Sequence, residues 1–235
     1  MHLAILMTNT DSSTFADSHP KDGEKFTRLV HMARPKWTLT VFTVKDEEFP
    51  DDIAEFDGAI ITGSPASVRG YLPWIAELLE LIRDMNDRCQ PLFGACFGHQ
   101  AIAMALGGQM DANPKGWVHG LTRNQMITRP AWTKDLPDEV KLYGSHNECV
   151  TVLPAGAAIV SETDGIVTGF SIGTHIYSTQ HHPEMSHQFI CALTEEMRAT
   201  LGPDIYARAN DSLKENSDQP VFAKSIALFF EQAQV

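Results

Sequence analysis

A ten-residue segment, residues 91–100, constrains the fold of this chain more than any other part of the sequence. A short apolar run ends at Gly94, Cys96 follows after one further residue, and Gly98 lies two positions beyond it. Residues 100–107 are small and mostly apolar, in a pattern typical of a helix. The segment is therefore predicted to form a strand, a sharp turn and a helix, with Cys96 on the turn and its thiol directed into a cleft.

Cys96 occupies a position that suits a nucleophile. The first N–H groups of a helix have no partner within the helix, so they favour a thiolate over a neutral thiol. The thiolate is the form of cysteine that attacks a carbonyl carbon. The same kind of turn carries the nucleophilic serine of many hydrolases, where flanking glycines relieve backbone strain. A cysteine without such flanks is more often a small buried hydrophobe, so the interpretation rests on Gly94 and Gly98.

The first half of the chain alternates between buried strands and amphipathic helices. Pro73 opens the clearest helix, because a proline at the first helical position loses no hydrogen bond. Strands are predicted at residues 3–7, 37–44, 58–62 and 91–94, and helices at residues 24–33, from residue 73 onward and at residues 100–107. This alternation is typical of an α/β fold with a doubly wound, mostly parallel central sheet and flanking helices.

The second half contains β-prone runs separated by Gly, Pro, Asn and Asp. Strands are predicted at residues 121–128, 140–143, 149–153, 158–161, 166–172 and 175–179, and we expect several of them to form an added antiparallel region. Residues 11–23 are predicted to be a loop, residues 184–201 and 221–232 helices, and residues 211–219 a polar linker. We expect a single domain over residues 1–235, with residues 203–235 as a C-terminal helical extension.

The composition excludes several classes of partner. The chain has 235 residues, of which 43% are hydrophobic, and a formal net charge of −12. An acidic surface repels phosphate backbones, so we expect no nucleic-acid partner. No apolar run reaches the length of a membrane span, so we expect no membrane partner. The four cysteines have no zinc-site spacing, and a chain this large needs no disulfides, so we expect a reduced, cytoplasmic protein without a metal or other cofactor.

The segment 180–184 supplies a candidate base for the thiol. Pro183 favours an extended conformation at His182, and positions i and i+2 of an extended segment project to the same side. His182 and Glu184 are therefore predicted to share a face, with the carboxylate orienting the imidazole toward Cys96. The carboxyl ends of neighbouring strands meet at one crevice in open α/β sheets, which would bring these residues together.

The same histidine-rich region allows a different interpretation. His181, His182, Glu184 and His187 could form a metal site. We favour the thiol partner, because Pro183 breaks any helix that would stack these side chains as ligands.

Acyl transfer also requires donors for a developing oxyanion. The backbone N–H of Phe97, directly after Cys96, is one candidate. The turn that contains Gly63 and Ser64 follows a predicted strand and could supply a second donor, although such turns are common in all proteins.

Four segments together resemble the class I glutamine amidotransferase family, and in particular the amidotransferase domain of GMP synthetase. They are residues 57–68, 91–100, 145–150 with the following 153–156, and 180–184. The second and the fourth are the most specific, because they match the Gly-x-Cys-x-Gly-x-Gln and His-Pro-Glu motifs of the family. The resemblance implies a flavodoxin-like fold.

The resemblance also implies a set of site residues. It implies a catalytic triad of Cys96, His182 and Glu184, in which the thiolate attacks a γ-carboxamide and a γ-glutamyl thioester forms before water completes hydrolysis. It implies oxyanion donors in the backbone at Ser64, beside Gly63, and at Phe97. It implies contacts with a small-molecule substrate at Gln100, Ser145 and His146.

Three functions remain open at this point. The residues after Glu184 suffice for two or three helices, and the sequence contains no Gly-x-x-x-x-Gly-Lys phosphate loop. We therefore expect a free-standing hydrolase of glutamine or of γ-glutamyl amides or peptides. The first alternative is a glutaminase subunit that delivers ammonia to a separate synthetase. The second is a non-catalytic binding or redox protein that uses Cys96 only as a reactive thiol.

Overall fold

Strands and helices alternate up to the nucleophile motif, and strands dominate the segment after it. The computed structural model describes residues 1–233. The strands are β1 His2–Leu6, β2 Thr38–Phe42, β3 Gly58–Ile61, β4 Leu92–Ala95, β5 Gln109–Ala112, β6 Val118–Met126, β7 Glu139–His146, β8 Glu148–Val152, β9 Ala157–Thr163, β10 Ile166–Ile172 and β11 Ile176–Thr179. The helices are α1 Thr14–Asp17, α2 Asp22–Ala33, α3 Pro73–Asp87, α4 Phe97–Ala105, α5 His187–Glu196, α6 Arg198–Ser212 and α7 Gln219–Gln232.

The main sheet has the strand order β2-β1-β3-β4-β11-β10-β9-β6-β7. Strands β2, β1, β3, β4 and β11 run parallel to their neighbours. From β11 onward the pairs are antiparallel, and β5 and β8 form a separate antiparallel ribbon. The predicted α/β fold, with a mostly parallel sheet and an added antiparallel region, is confirmed.

The two faces of the sheet are covered by different helices. Alternate residues of β1 point to opposite faces, so Leu3 packs in the cluster beneath α2 and α7, whereas Leu6 packs in the cluster beneath α3 and α4. Phe229 and Phe230 of α7 are fully buried in the first cluster. The predicted division of the chain at residue 203 stays a prediction, and residues 234–235 of the predicted domain lie outside the described residues.

Several element boundaries differ from the sequence-based predictions. The loop predicted at residues 11–23 contains α1, which Ser13 caps by accepting a hydrogen bond from the N–H of Ala16 at 3.2 Å. The helix predicted from residue 184 begins only at His187, because Ser186 is in extended conformation and caps α5. The linker predicted at residues 211–219 is shorter, since α6 continues to Ser212. No helix within residues 1–233 is long and apolar enough to cross a membrane.

Three loops leave the parallel part of the sheet at the same edge. Thr179 pairs with Ala95 at the carboxyl ends of β11 and β4, and the N–H of Cys96 donates to the carbonyl of Thr179 at 2.9 Å. Strand β3 ends beside β4, so the turn at Gly63 reaches the same edge. The topology therefore brings together the three segments that carry the predicted site.

Candidate active site

Cys96 has a backbone conformation that residues with side chains rarely adopt. Its φ is 50° and its ψ is −103°, and it directly precedes α4. Such a conformation costs on the order of 1–3 kcal/mol and persists only where the surrounding structure holds it. The cysteine is 5% exposed and lines a cavity. A strained residue at the start of a helix is the geometry expected of a nucleophile on a strand–turn–helix motif.

The two glycines that flank Cys96 have a different role from the one predicted. Neither Gly94 nor Gly98 has a positive φ, so the strain of the turn is carried by Cys96 itself. A Cβ on Gly94 would lie 2.6 Å from the carbonyl carbon of Gly98, and a Cβ on Gly98 would lie 2.5 Å from the carbonyl oxygen of Ile61. The missing side chains therefore let α4 pack directly on β3 and β4, and this packing holds the strained turn.

His182 and Glu184 are joined by a buried hydrogen bond. His182 Nδ1 donates to Glu184 Oε1 at 2.7 Å, and the two side chains are 8% and 1% exposed. Because Nδ1 carries the proton, Nε2 is left to exchange a proton with another group. The backbone N–H of His182 donates to the carbonyl of Tyr143 at 2.8 Å, which fixes the segment against β7.

The charge state of His182 is set by two neighbouring residues. Burial opposes a charged imidazole, but the neighbouring Cys96 and the Glu184 carboxylate outweigh it and raise the pKa of His182 well above its ordinary value. Glu184 also accepts a hydrogen bond from Nδ1 of the ring. The surroundings of His182 therefore favour a protonated imidazole at neutral pH.

The turn after β3 lies against this pair. A Cβ on Gly63 would lie 2.7 Å from His182 Cε1 and 3.5 Å from Cys96 Cβ, so only glycine fits there without moving the imidazole. Ser64 lines the cavity. The N–H of Phe97 belongs to the first residue of α4 and has no acceptor within the helix. The structure thus brings Gly63, Ser64 and Phe97 to the side of the cavity that holds Cys96.

The three residues predicted to contact substrate lie at different depths. Ser145 lines the cavity. Gln100 and His146 are buried and do not line it. Gln100 Nε2 donates to Gln180 Oε1 at 3.2 Å, and His146 Nδ1 donates to the carbonyl of Glu148 at 3.0 Å. Both side chains are thus held by hydrogen bonds outside the cavity lining, and a direct substrate contact at Gln100 or His146 stays a prediction.

A group of buried histidines surrounds the site and remains neutral. Burial lowers the pKa of His99 to about 3, that of His146 to about 4 and that of His119 to about 4. Burial, together with the neighbouring histidines, lowers the pKa of His181 well below its ordinary value. His182 is thus the one member of this group with a raised pKa.

The positions of the histidines bear on the alternative interpretation of residues 181–187 as a metal site. No group of three or more His, Cys, Asp or Glu residues suited to a metal ion occurs within the described part of the chain. In the alternative set, His181 is buried with no hydrogen-bond partner on either ring nitrogen, whereas His187 is exposed and its Nδ1 lies 3.0 Å from the hydroxyl of Tyr143. All four cysteines are free thiols.

The cavity has a volume of about 550 Å³. Cys96, His182 and Glu184 line one part of it, and residues of α2 and α5, among them Lys25 and Phe189, line another. Cavities of about 300–1,000 Å³ bury most of a drug-sized ligand. The space is therefore sufficient for a molecule considerably larger than glutamine.

Comparison with known families matches the same region of the chain. The family profile described as glutamine amidotransferase class-I covers residues 25–189, which include Cys96, His182 and Glu184. The chain belongs to the class I glutamine amidotransferase family. The resemblance inferred from the four sequence segments is confirmed.

Curated relatives of this amidotransferase-family chain include two kinds of protein. Gamma-glutamyl peptidase 3 of Arabidopsis thaliana is 29% identical over 171 residues, which cover 69% of this chain and 68% of the relative. A subunit of the glutamine-hydrolyzing GMP synthase of Halobacterium salinarum is 29% identical over 166 residues, which cover 69% of this chain and 85% of the relative. Hydrolysis of a γ-glutamyl amide bond is therefore supported at the level of the family.

Solved structures share the fold of this class I amidotransferase chain. A glutamine amidotransferase from Thermotoga maritima has a TM-score of 0.75 at 17% identity, over 98% of this chain and 97% of the other. A glutamine amidotransferase from Methylobacillus flagellatus has a TM-score of 0.75 at 20% identity, over 99% and 94%. At these identities the likeness shows the fold alone.

Two residues that support the site were not found by reasoning from the sequence. Thr8, fully buried after β1, donates to the carbonyl of Gly63 at 3.0 Å. Gln219 of α7 donates to the carbonyl of Pro183 at 2.6 Å and holds the His182–Glu184 segment. Neither residue carries a local signal, because each acts through a partner that is distant in sequence.

Proposed function

We propose that this chain hydrolyses γ-glutamyl amide bonds, using Cys96, His182 and Glu184 as a catalytic triad. The observation that carries the proposal is the His182–Glu184 hydrogen bond of 2.7 Å beside a cysteine held at a strained turn. A nucleophile, a base and a group that orients the base are the three parts that acyl transfer requires.

The reaction proceeds in two halves. The Cys96 thiolate attacks the γ-carbonyl carbon, and the backbone N–H groups of Ser64 and Phe97 stabilise the oxyanion. The His182 imidazolium gives its proton to the leaving amine, which departs as the γ-glutamyl thioester forms. Neutral His182 then removes a proton from water, hydroxide attacks the thioester, and glutamate and the thiolate are released. Glu184 keeps the imidazole oriented throughout.

Two observations favour a substrate with a sizeable leaving group. The cavity of about 550 Å³ extends well beyond the reacting residues, whereas free glutamine would release only ammonia. Several relatives carry the name gamma-glutamyl peptidase, among them gamma-glutamyl peptidase 5 of Arabidopsis thaliana at 28% identity. The four cysteines are all unpaired, which suits the proposed cytoplasmic location, where thiols are kept reduced.

A second candidate function is ammonia delivery to a separate synthetase. It is favoured by the relatives that are subunits of GMP synthase, including the one from Methanosarcina acetivorans at 28% identity. This function requires glutamine itself to be the substrate. It is distinguished by the preference between glutamine and larger γ-glutamyl amides, and by stimulation when a synthetase is added.

The proposal is tested by measuring glutamate release from glutamine and from a panel of γ-glutamyl amides. We expect the wild-type protein to release glutamate from at least one member of the panel, and Cys96→Ala to abolish this release. Rapid quenching followed by mass spectrometry should detect a γ-glutamyl adduct on Cys96. Hydrolysis that survives in Cys96→Ala would disprove the proposed nucleophile.

Glu184→Gln tests the role of the orienting carboxylate. Glu184 is one of the two groups that raise the pKa of His182, and this variant removes its charge. We expect activity to fall less than in Cys96→Ala, and its alkaline limb to move to lower pH, because the imidazolium loses its proton sooner. The measurement is kcat against pH for both the wild-type protein and Glu184→Gln. An unchanged alkaline limb would show that Glu184 does not set the charge of His182.

A further inference from the structure

The cavity contains a second group of buried charges, away from the reacting residues. Among the described residues that line it, the charged side chains that are at least nine-tenths buried are His182 with Glu184, and Asp22 with Lys25. The Lys25 side chain is 10% exposed and that of Asp22 is 6% exposed. The mechanism of hydrolysis has no use for this second pair.

The contacts of Lys25 hold its ammonium group in one place. Lys25 Nζ donates to Asp22 Oδ1 at 2.9 Å and lies 3.6 Å from the centre of the Phe189 ring. Asp22 Oδ2 in turn accepts from Asn9 Nδ2 at 2.8 Å. An ammonium group has three N–H donors, and Asp22 Oδ1 is the one described oxygen that accepts from this one. Lys25 therefore retains donors for a group inside the cavity.

A purely structural role explains this pair poorly. Removing two charges from water costs several kcal/mol, and a buried ion pair is often no more stabilising than apolar side chains of the same size. Binding cavities are mostly apolar, and the few buried polar groups in them orient the ligand. A preorganised ammonium of this kind suits a carboxylate, which forms short charge-assisted hydrogen bonds with it.

The sheet topology assigns the pair to one end of the substrate. Cys96 follows β4, which lies between β1 on one side and β7 on the other in the strand order. The glutamyl end is predicted to lie near Ser145, in β7. Asp22 and Lys25 are in α2, after β1, so they lie toward the opposite edge of the sheet, where the leaving group would extend.

We propose that Lys25, held by Asp22 and Phe189, binds a carboxylate on the leaving group, so that the preferred substrates are γ-glutamyl amino acids or peptides. This inference rests on the proposed function. The other acidic residues of the cavity wall, Asp11, Asp17, Asp46 and Glu196, are exposed to solvent, which screens their charges.

The test compares two substrates that differ in one group, γ-glutamylglycine and γ-glutamylglycinamide. We expect kcat/KM of the wild-type protein to be at least about tenfold higher for the carboxylate, the value of one charge-assisted hydrogen bond. Lys25→Met should bring the ratio close to one, and Lys25→Arg should retain a preference for the carboxylate. A wild-type ratio near one, or a ratio unaffected by Lys25→Met, would overturn the inference.

Lys45→Met provides the matched control. Lys45 lines the same cavity, but its side chain is 27% exposed and its ammonium lies 2.8 Å from both carboxylate oxygens of Asp46. This variant removes the same charge from the cavity, and we expect it to keep the wild-type substrate ratio. If Lys45→Met and Lys25→Met changed the substrate ratio equally, the preference would come from the total positive charge of the cavity and not from a bond to Lys25. That result would contradict the inference.

A binding measurement separates this inference from the proposed function. Calorimetric titration of Cys96→Ala with the same two compounds needs no turnover, and we expect at least about tenfold tighter binding of the carboxylate, lost when Lys25→Met is added. Dependence on Lys25 without hydrolysis by the wild-type protein would refute the hydrolase and leave the subsite standing. Hydrolysis by the wild-type protein without a dependence on Lys25 would support the proposed hydrolase and refute the subsite. If Lys25→Met does not fold, the wild-type protein still provides a test. Ratios near one between the carboxylate and the amide compound, for both kcat/KM and affinity, would overturn the inference.

Discussion

At the scale of the residue, the site depends on the unusual backbone of Cys96. A φ of 50° is unfavourable for a residue with a side chain, yet the thiol must leave the fold at this point to reach the cavity. The strain is held by the close packing of α4 on β3, for which Gly98 is required. At position 96, stability would favour a residue without a side chain, whereas the proposed reaction needs a thiol.

Comparing two substitutions at position 96 measures this strain. Cys96→Ala keeps the Cβ in the unfavourable conformation, whereas Cys96→Gly removes it. We expect Cys96→Gly to be at least as stable as Cys96→Ala, although glycine in place of alanine ordinarily costs about 0.5–1 kcal/mol. The free energy of unfolding of both variants, from urea denaturation, gives the comparison.

Ala101→Gly is the control for that comparison. Ala101 is fully buried in α4 and has helical backbone geometry, so we expect the ordinary loss of about 1 kcal/mol or more. If Cys96→Gly were less stable than Cys96→Ala by as much as Ala101→Gly costs, the backbone at position 96 would carry no strain.

At the scale of the element, α7 joins the core to the active site. Phe230 is fully buried, and its ring packs against Gly58 of β3, where a Cβ would lie 2.8 Å from Phe230 Cε1. At the start of the same helix, Gln219 holds the segment with His182 and Glu184 through the carbonyl of Pro183. The helix thus contributes to stability and to the geometry of the candidate site, although its sequence carries no motif for either role.

Phe230→Ala tests the contribution of α7 to the core. Removing a fully buried phenylalanine leaves a cavity, so we expect the free energy of unfolding to fall by about 3–5 kcal/mol. Lys224→Ala on the same helix is the control, because Lys224 is half-exposed and pairs with Asp135 at the surface. We expect this control to cost less than about 1 kcal/mol. Similar losses in the two variants would mean that α7 is not part of the core.

At the scale of the whole molecule, the neutral histidines make the fold sensitive to acid. The pKa values of His99, His119 and His146 are lowered to about 3, 4 and 4, and that of His181 is also lowered, chiefly by burial. In the unfolded chain each would bind a proton near pH 6.5. Below that pH the unfolded state therefore binds more protons than the folded state, and stability falls as the pH falls. The pKa of His182 is raised, so above pH 6.5 the folded protein holds this proton more tightly than the unfolded chain does. The contribution of His182 to stability is therefore lost as the pH rises.

We expect the free energy of unfolding to decrease steeply between about pH 6.5 and pH 4.5, above the range in which most carboxylates titrate. Unfolding should be accompanied by the uptake of nearly four protons, so the free energy of unfolding should change by at most about 5 kcal/mol per pH unit. Urea denaturation at a series of pH values measures it. His119→Gln should reduce the slope by about one proton, and a flat profile over this range would show that the buried histidines already bind protons in the folded protein.

Features that depend on neighbouring residues along the chain could be predicted from the amino-acid sequence alone. The alternation of strands and helices, the turn at Cys96 and the spacing of His182 and Glu184 are all local patterns, and backbone geometry translates such patterns directly into structure. For the same reason the family could be inferred from motifs alone.

Which side chains reach the cavity, and which residues support them, could be read only from the three-dimensional structure. Ser145 lines the cavity, whereas Gln100 and His146 are buried and do not line it, and Lys25 of α2 contacts Phe189 of α5. Thr8 and Gln219 act on the site from segments with no motif. These features depend on how distant segments pack against each other, and packing is a property of three-dimensional contacts that no local pattern in the chain encodes.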